Sequence, residues 1–180
     1  TIIDAYPNGS PCIDNMQYLL ACDQLPDVVE RNYPGLWEYL QKGVELGIPI
    51  RYLCASREVW YYQEVRLPSL FLATYMGRSN GGTQSPFRFV LNLSKALVTN
   101  VYLHLYPTER LEALIRFDRE RMVEVLSALN SIPTREVIQA GRSYGGGLHK
   151  IEPKELLDVA ISAPSRWMTE GLVNQLELKY

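Results

Sequence analysis

Apolar residues recur at helical spacing over residues 34–47, where Leu36, Trp37, Leu40 and Val44 share one side. Pro34 near the start and Gly47 at the end bracket this as a helix. Pro26 to Glu30 predicts a shorter helix, with proline in its first turn. The pattern then changes. "IRYLCASREVWYYQEV" is rich in aromatic and β-branched residues and predicts one or two strands, and "PSLFLATYM" predicts another. "GRSNGGTQS" is the most loop-like stretch of the chain. "PFRFVLNL", "SKALV" and "TNVYLHLYP" read as strand, connection, strand. From Thr108 the period lengthens. Leu111, Leu114, Ile115, Met122, Val125, Leu126 and Leu129 suit one long or two short amphipathic helices. A further helix starts at Ser131-Ile132-Pro133 and ends near Gly141, and Glu152-Pro153 opens a last short turn or helix. "MQYLLACD", near the N-terminus, reads as a strand, and the chain from Ala163 gives no clear period.

Helix, then a group of strands, then helices describe an α+β fold. The strands lack the intervening helices of a doubly wound sheet, so the expectation is an antiparallel or mixed sheet flanked by helices. The organisation read from the pattern is an N-terminal segment at 1–33, a main domain at 34–162 and a C-terminal extension at 163–180.

Composition narrows the class. The chain has 180 residues, 47% of them hydrophobic and 21% charged, enough for one domain with a real core. No apolar run approaches the roughly 20 residues of a membrane span, and no signal-peptide pattern is present. The chain opens on Thr1 and reads as a piece of a larger protein. Cys12, Cys22 and Cys54 are scattered and follow no CxxC spacing, which points to reduced thiols in a cytoplasmic protein and to no metal frame.

The net charge of −2 does not suggest a free-standing nucleic-acid binder, but its distribution says more. Residues 51–110 hold seven Arg and Lys against three acids, a balance of +4, so the remainder carries −6. Thirteen of the eighteen basic residues are Arg, whose planar fork suits phosphates and guanine edges. The competing reading is a solvated face with Arg stems covering apolar surface.

The signatures of common enzyme classes are missing: no GxGxxG after a strand, no GxxxxGK[ST], no GxSxG elbow and no HExxH. His104 alternates with Tyr102 and Tyr106 and reads as a face-lining strand residue. His149 reads as a loop residue, open to a contact role beside Gly147 and Lys150. The oddest stretch is "RSYGGGLHKIEPKEL", because three consecutive glycines carry a large backbone entropy cost. They either admit a partner's close approach or form a tight packing turn.

Five segments occur in order: "SREVWYY" (56–62), "LFLATYMGR" (70–78), "FRFVLNLSKALVTNVYLHLYP" (87–107), "LSALNS" (126–131) and "GRSYGGGLHKIEPKEL" (141–156). Together they resemble the C-terminal region of adenine-N6 DNA methyltransferases of restriction–modification systems, in which a catalytic domain precedes the target-recognition domain. The resemblance covers roughly residues 34–160, and the tyrosine-triglycine element followed by Lys-x-Glu-Pro is its most specific part. It implies that residues 34–162 are a target-recognition domain. The implied partners are double-stranded DNA and the catalytic domain of the same parent chain, with no membrane. The family's Gly-rich S-adenosylmethionine motif and Asn-Pro-Pro-Tyr/Phe motif are not in these residues. The implied piece therefore holds no cofactor and no catalytic residue, while its parent uses S-adenosylmethionine.

A recognition domain contacts phosphates for position and base edges for sequence. The residues read for DNA contact are Arg57, Tyr61, Arg78, Arg88, Asn92, Asn100, Tyr144, Gly146 and Lys150. For Tyr61 the alternative is core, for Arg78 a surface ion pair, and for Asn92 and Asn100 local bonding in turns. Two other functions stay open: an interaction or structural domain of a restriction complex, and a nuclease using acids such as Glu58 and Glu64. The resemblance predicts that these 180 residues alone, incubated with labelled S-adenosylmethionine and mixed-sequence DNA, incorporate no methyl groups above background. Incorporation would place a catalytic centre inside them.

Overall fold

Two prolines start two helices where a missing N–H costs nothing. α1 runs Pro26–Asn32 and α2 runs Pro34–Glu45. The computed structural model describes residues 2–3, 18–79, 85–94, 96–98, 100–161, 167 and 178–179. Within it the chain divides into two compact units, residues 13–66 and residues 1–12 with 67–180. This division at residue 67 differs from the expected boundary at residue 34.

In the unit 13–66, Val29 of α1, Leu40 of α2, Val59 and Tyr61 form a small core, with Leu36, Trp37, Trp60 and Tyr62 packed against it. Gly47 follows α2 at φ 66°, a left-handed position that suits glycine. The strands expected over 50–65 are not there. A short helix α3, Tyr52–Ala55, is followed by turns. The reason is packing. Trp60, Tyr61 and Tyr62 meet edge to face in sequence, each neighbouring pair of rings 5.5 Å apart, whereas successive side chains of a strand point to opposite faces. The Trp60 ring also fills the space beside Gly43 of α2, where an added Cβ would lie 2.7 Å from it. Residues 18–22 of "MQYLLACD" form no strand, and its first two residues lie outside those described.

The other unit follows the sequence pattern closely. β2 (Phe71–Thr74) pairs antiparallel with β4 (Phe89–Asn92) and with β5 (Tyr102–Pro107). β1 (Ile2–Ile3) adds in parallel to β4, and β8 (Leu178–Lys179) adds antiparallel to β5. The result is a mixed five-stranded sheet in the order β1-β4-β2-β5-β8, and the fold is α+β as expected. Helices α4 (Glu109–Ile115), α5 (Arg119–Asn130), α6 (Thr134–Ala140) and α7 (Pro153–Leu157) supply Leu111, Ile115, Val125, Leu129, Val137 and Leu156 to one core with Phe71, Phe89, Leu91 and Leu105. Thr108 and Asp118 cap α4 and α5 by accepting the N–H groups of Leu111 and Arg121 at 3.3 and 3.0 Å. The Asp118 cap, lying between α4 and α5, divides the long apolar period into two helices.

Asn130, at the end of α5, behaves like a short piece of strand. Its Oδ1 accepts the Phe89 N–H at 3.0 Å and its Nδ2 donates to the Phe89 carbonyl at 3.2 Å. One side chain thus satisfies both backbone groups of a β4 residue and ties the helical layer to the sheet.

After β2 the chain leaves the large sheet. Tyr75 donates its N–H to the Val101 carbonyl at 3.2 Å, and its own carbonyl accepts the Ile151 N–H at 3.0 Å. Beyond it, β3 (Met76–Arg78) joins a second, three-stranded antiparallel sheet in the order β3-β7-β6, with β6 at Arg142–Tyr144 and β7 at Leu148–Lys150. Gly77 lets the chain before β4 approach this sheet: a Cβ there would fall 1.9 Å from the Pro86 carbonyl oxygen.

Phe71 is fully buried at the centre of the large sheet. Truncation to Ala should cost about 3–5 kcal/mol and, for a chain of this size, lower the melting temperature by about 10 °C. A thermal melt of Phe71→Ala checks this, and a shift of only a degree or two would contradict the packing described.

Candidate nucleic-acid interface

The three-stranded sheet gathers residues that lie about 70 positions apart in the chain. Its register aligns Met76 with Lys150 and Arg142, Gly77 with His149 and Ser143, and Arg78 with Leu148 and Tyr144. Directly opposite residues share a face, and successive residues alternate. Met76, Arg78, Arg142, Tyr144, Leu148 and Lys150 therefore lie on one face, and Gly77, Ser143 and His149 on the other.

The second face is bonded within the protein. His149 Nε2 lies 2.9 Å from Ser79 Oγ, and its Nδ1 lies 2.9 Å from Ser143 Oγ, so one imidazole spans from the end of β3 to β6. The sequence pattern marks neither serine and places His149 only in a loop. The first face is open. Met76, Arg78, Arg142 and Tyr144 are exposed, and Leu148 and Lys150 are partly so.

The triglycine closes the β6–β7 hairpin, and its three members differ. Gly146 and Gly147 have φ of 68° and 69°, which L side chains rarely adopt. The Gly147 carbonyl accepts the Ser79 N–H at 2.9 Å, and a Cβ on Gly147 would meet the Ser79 carbonyl oxygen at 2.7 Å. The Gly146 carbonyl accepts from Arg78 Nη1 at 3.2 Å. These two glycines serve a packing turn that seats the end of β3. Gly145 is different: it is exposed, and a Cβ there would meet nothing within 4 Å.

The cations of the open face are paired from behind. Lys150 Nζ contacts Glu152 Oε1 at 2.6 Å and lies 4.8 Å from the centre of the Tyr75 ring. The Glu152 carboxylate and the Tyr75 hydroxyl hold the Lys150 ammonium well above the usual lysine range. Arg142 Nε donates to Glu155 Oε1 at 2.9 Å. Glu152 and Glu155 also form the capping box that starts α7. The Glu152 N–H, and after it the Arg142 charge, keep the Glu155 carboxyl below its ordinary range.

The remaining sequence-selected residues divide. Arg88 points away from its buried neighbours Phe87 and Phe89, as the alternation predicts, and its Nη2 lies 3.4 Å from the Tyr102 hydroxyl. Asn100 is exposed in the turn before β5. Arg57 belongs to the unit 13–66, where Nη2 donates to Gln63 Oε1 at 2.9 Å. Tyr61 and Asn92 face inward, against the expectation of DNA contact. Tyr61 is 5% exposed and its hydroxyl donates to the Gln24 carbonyl at 2.7 Å. Asn92 is 3% exposed; its Nδ2 donates to the Ser69 and Ala96 carbonyls, and its Oδ1 accepts from both the N–H and the hydroxyl of Ser94. A side chain with all these bonds made inside the protein has no capacity left for a base edge. Of the acids considered for a nuclease, Glu58 and Glu64 are exposed, and Glu64 is paired with Arg66 at 2.9 Å. Among the described residues no three His, Cys, Asp or Glu side chains converge as metal ligands.

Residues 13–179 match the family model of the C-terminal domain of the type II methyltransferase M.Eco57I. The chain belongs to this family. Among its relatives, the type II methyltransferase M.XamI of Xanthomonas campestris pv. amaranthicola is 36% identical over 111 residues, 61% of this chain and 18% of the relative. The type II methyltransferase M.AccI of Acinetobacter calcoaceticus is 30% identical over 120 residues, 66% of this chain and 20% of the relative. The match thus spans about a fifth of each relative's length, as a C-terminal domain of a restriction–modification methyltransferase would. No solved structure matches the chain significantly.

The geometry of this C-terminal domain separates its glycines. Gly145→Ala should melt at or slightly above the wild-type temperature, because it removes unfolded-state freedom without strain, a gain of about 0.4–1 kcal/mol where the new residue fits. Gly147→Ala should melt lower, by on the order of 1–3 kcal/mol. Melting curves of the two variants measure the difference, and equal stabilities would contradict the turn geometry.

Proposed function

We propose that this domain is the DNA target-recognition portion of a site-specific adenine-N6 methyltransferase acting in the cytoplasm. Its ligand is double-stranded DNA, and its intramolecular partner is the parent's catalytic domain. The observation that carries the reading is the open face of the three-stranded sheet, which Arg78, Arg142 and Lys150 share with Tyr144 beside the bare Gly145. Cations interleaved with an exposed aromatic suit a phosphate backbone and the base edges between its strands. Arg88 just before β4, Asn100 in the turn before β5, and Arg57 in the other unit are further candidate contacts. Adenine specificity rests on the order of the sequence segments described above.

The parent's methyl donor is S-adenosylmethionine on this reading, and these residues do not fit it. The triglycine joins two antiparallel strands, whereas a nucleotide-type donor is held where a strand turns into a helix. The domain's part is to bind and orient DNA, and the parent flips the target adenine from the duplex.

One observation favours a second reading for the unit 13–66. Leu46, Ile50, Tyr52 and Leu53 are all more than 60% exposed within eight residues, as at a protein contact. An interaction module of this kind would not bind DNA in a salt-sensitive way.

The recognition reading is tested on the full-length protein. Arg78→Ala and Arg88→Ala should each weaken binding to the target duplex. Where the arginine meets a phosphate, its removal should lower the slope of log affinity against log salt by about one. Wild-type affinity and slope in both variants would move the DNA-binding surface elsewhere.

A further inference from the structure

Arg142 is the one cation of the open face restrained through Nε. Arg78 is bonded through its Nη1 to Gly146, and Lys150 carries a point charge directed at Glu152. Behind Arg142, Glu155 is itself fixed at both oxygens. Oε1 accepts from Arg142 Nε at 2.9 Å, and Oε2 accepts the Glu152 backbone N–H at 2.7 Å. The Glu155 side chain is 23% exposed, and that of Arg142 is 57% exposed. A well-held carboxylate thus supports a solvent-facing guanidinium on a strand whose three residues are all exposed.

Glu155 holds Arg142 through Nε, which leaves the two Nη groups as a pair of parallel donors beside the Tyr144 hydroxyl, with which Arg142 also interacts. That spacing matches the O6 and N7 acceptors of guanine in the major groove. A phosphate would also accept the pair, but Glu155 opposes it, because the carboxylate cancels the attraction for a second anion and repels it directly. A neutral base edge carries no such penalty. Restraint from behind also removes part of the rotamer entropy that an arginine loses on binding.

We propose that Arg142 reads a guanine edge in the DNA target and that Glu155 is its positioning residue. The proposal rests on the recognition reading above and adds the base and the residue that contacts it. The test uses the full-length protein, its mapped methylation site and duplexes carrying each single base-pair replacement, with binding measured across a salt series. Arg142→Lys keeps the charge and removes the fork. It should relax discrimination at one G·C pair by roughly ten- to a hundredfold and leave the other positions unchanged. Glu155→Gln retains a capping-box side chain, so it should melt near wild type. It should relax the same G·C position by a smaller factor, since the one amide oxygen, kept by the Glu152 N–H, leaves an NH2 that cannot accept from Arg142. A uniform loss over all duplexes with Arg142→Ala, with the salt slope lowered by about one, would make Arg142 a phosphate contact and overturn the proposal. Unchanged discrimination in Arg142→Lys, or a target without a G·C pair, also overturns it. If those results accompany weakened binding by Arg78→Ala, the recognition reading stands and only the guanine assignment fails. If the wild-type protein shows no salt-sensitive DNA binding, both fall.

Discussion

The carbonyl of Gly147 governs the small sheet. It accepts the Ser79 N–H at the point where β3 ends, and it can do so because two successive left-handed residues turn it toward that strand. The bond extends the ladder that already pairs Met76–Arg78 with Leu148–Lys150 and anchors the hairpin turn to the third strand, and a hairpin without a third strand is marginal in water by itself. β7 is the middle strand of three, and His149 on it has a serine on either side. The open face of Arg78, Arg142, Tyr144 and Lys150 follows from the same pairing, since register alone decides which side chains share it.

The small sheet is joined to the large one through Tyr75, whose N–H is bonded to Val101 and whose carbonyl is bonded to Ile151. Ile151 is buried in the main core, directly after the cation Lys150. The open face is therefore one residue from the packed interior, and Asn130 braces that interior by pairing with both backbone groups of Phe89. A surface that must meet a partner in one orientation gains from such a short path to a rigid core.

Charge on the open face is held near balance. Lys150 and Arg142 are each matched by a glutamate from the first turn of α7, and the same glutamates cap that helix. A face arranged in this way offers directed donors more than raw attraction, which agrees with a chain whose net charge is −2. Exposed ion pairs contribute little stability by themselves. Their effect here is to hold two long side chains in set directions.

The amino-acid pattern alone determined most of the second unit. Strands at Phe71, Phe89 and Tyr102 and helices from Glu109 onward were legible because their periods persist over several residues, whereas the division into two helices at Asp118 came with the fold. The family resemblance was legible too, because its segments keep their order along the chain. Three things needed the tertiary structure. Residues 50–65 carry strand-forming side chains, yet Trp60 and Tyr61 find more to pack on against α1 and α2 than a sheet edge would offer, so burial overrides propensity. Asn92 and Tyr61 are polar side chains whose partners lie within the fold, and no local pattern tells an inward bond from an outward one. The open face itself joins Arg78 to Arg142 and Tyr144 across more than sixty residues. That pairing is set by the glycine turn and the register of β7, which exist only once the strands have met.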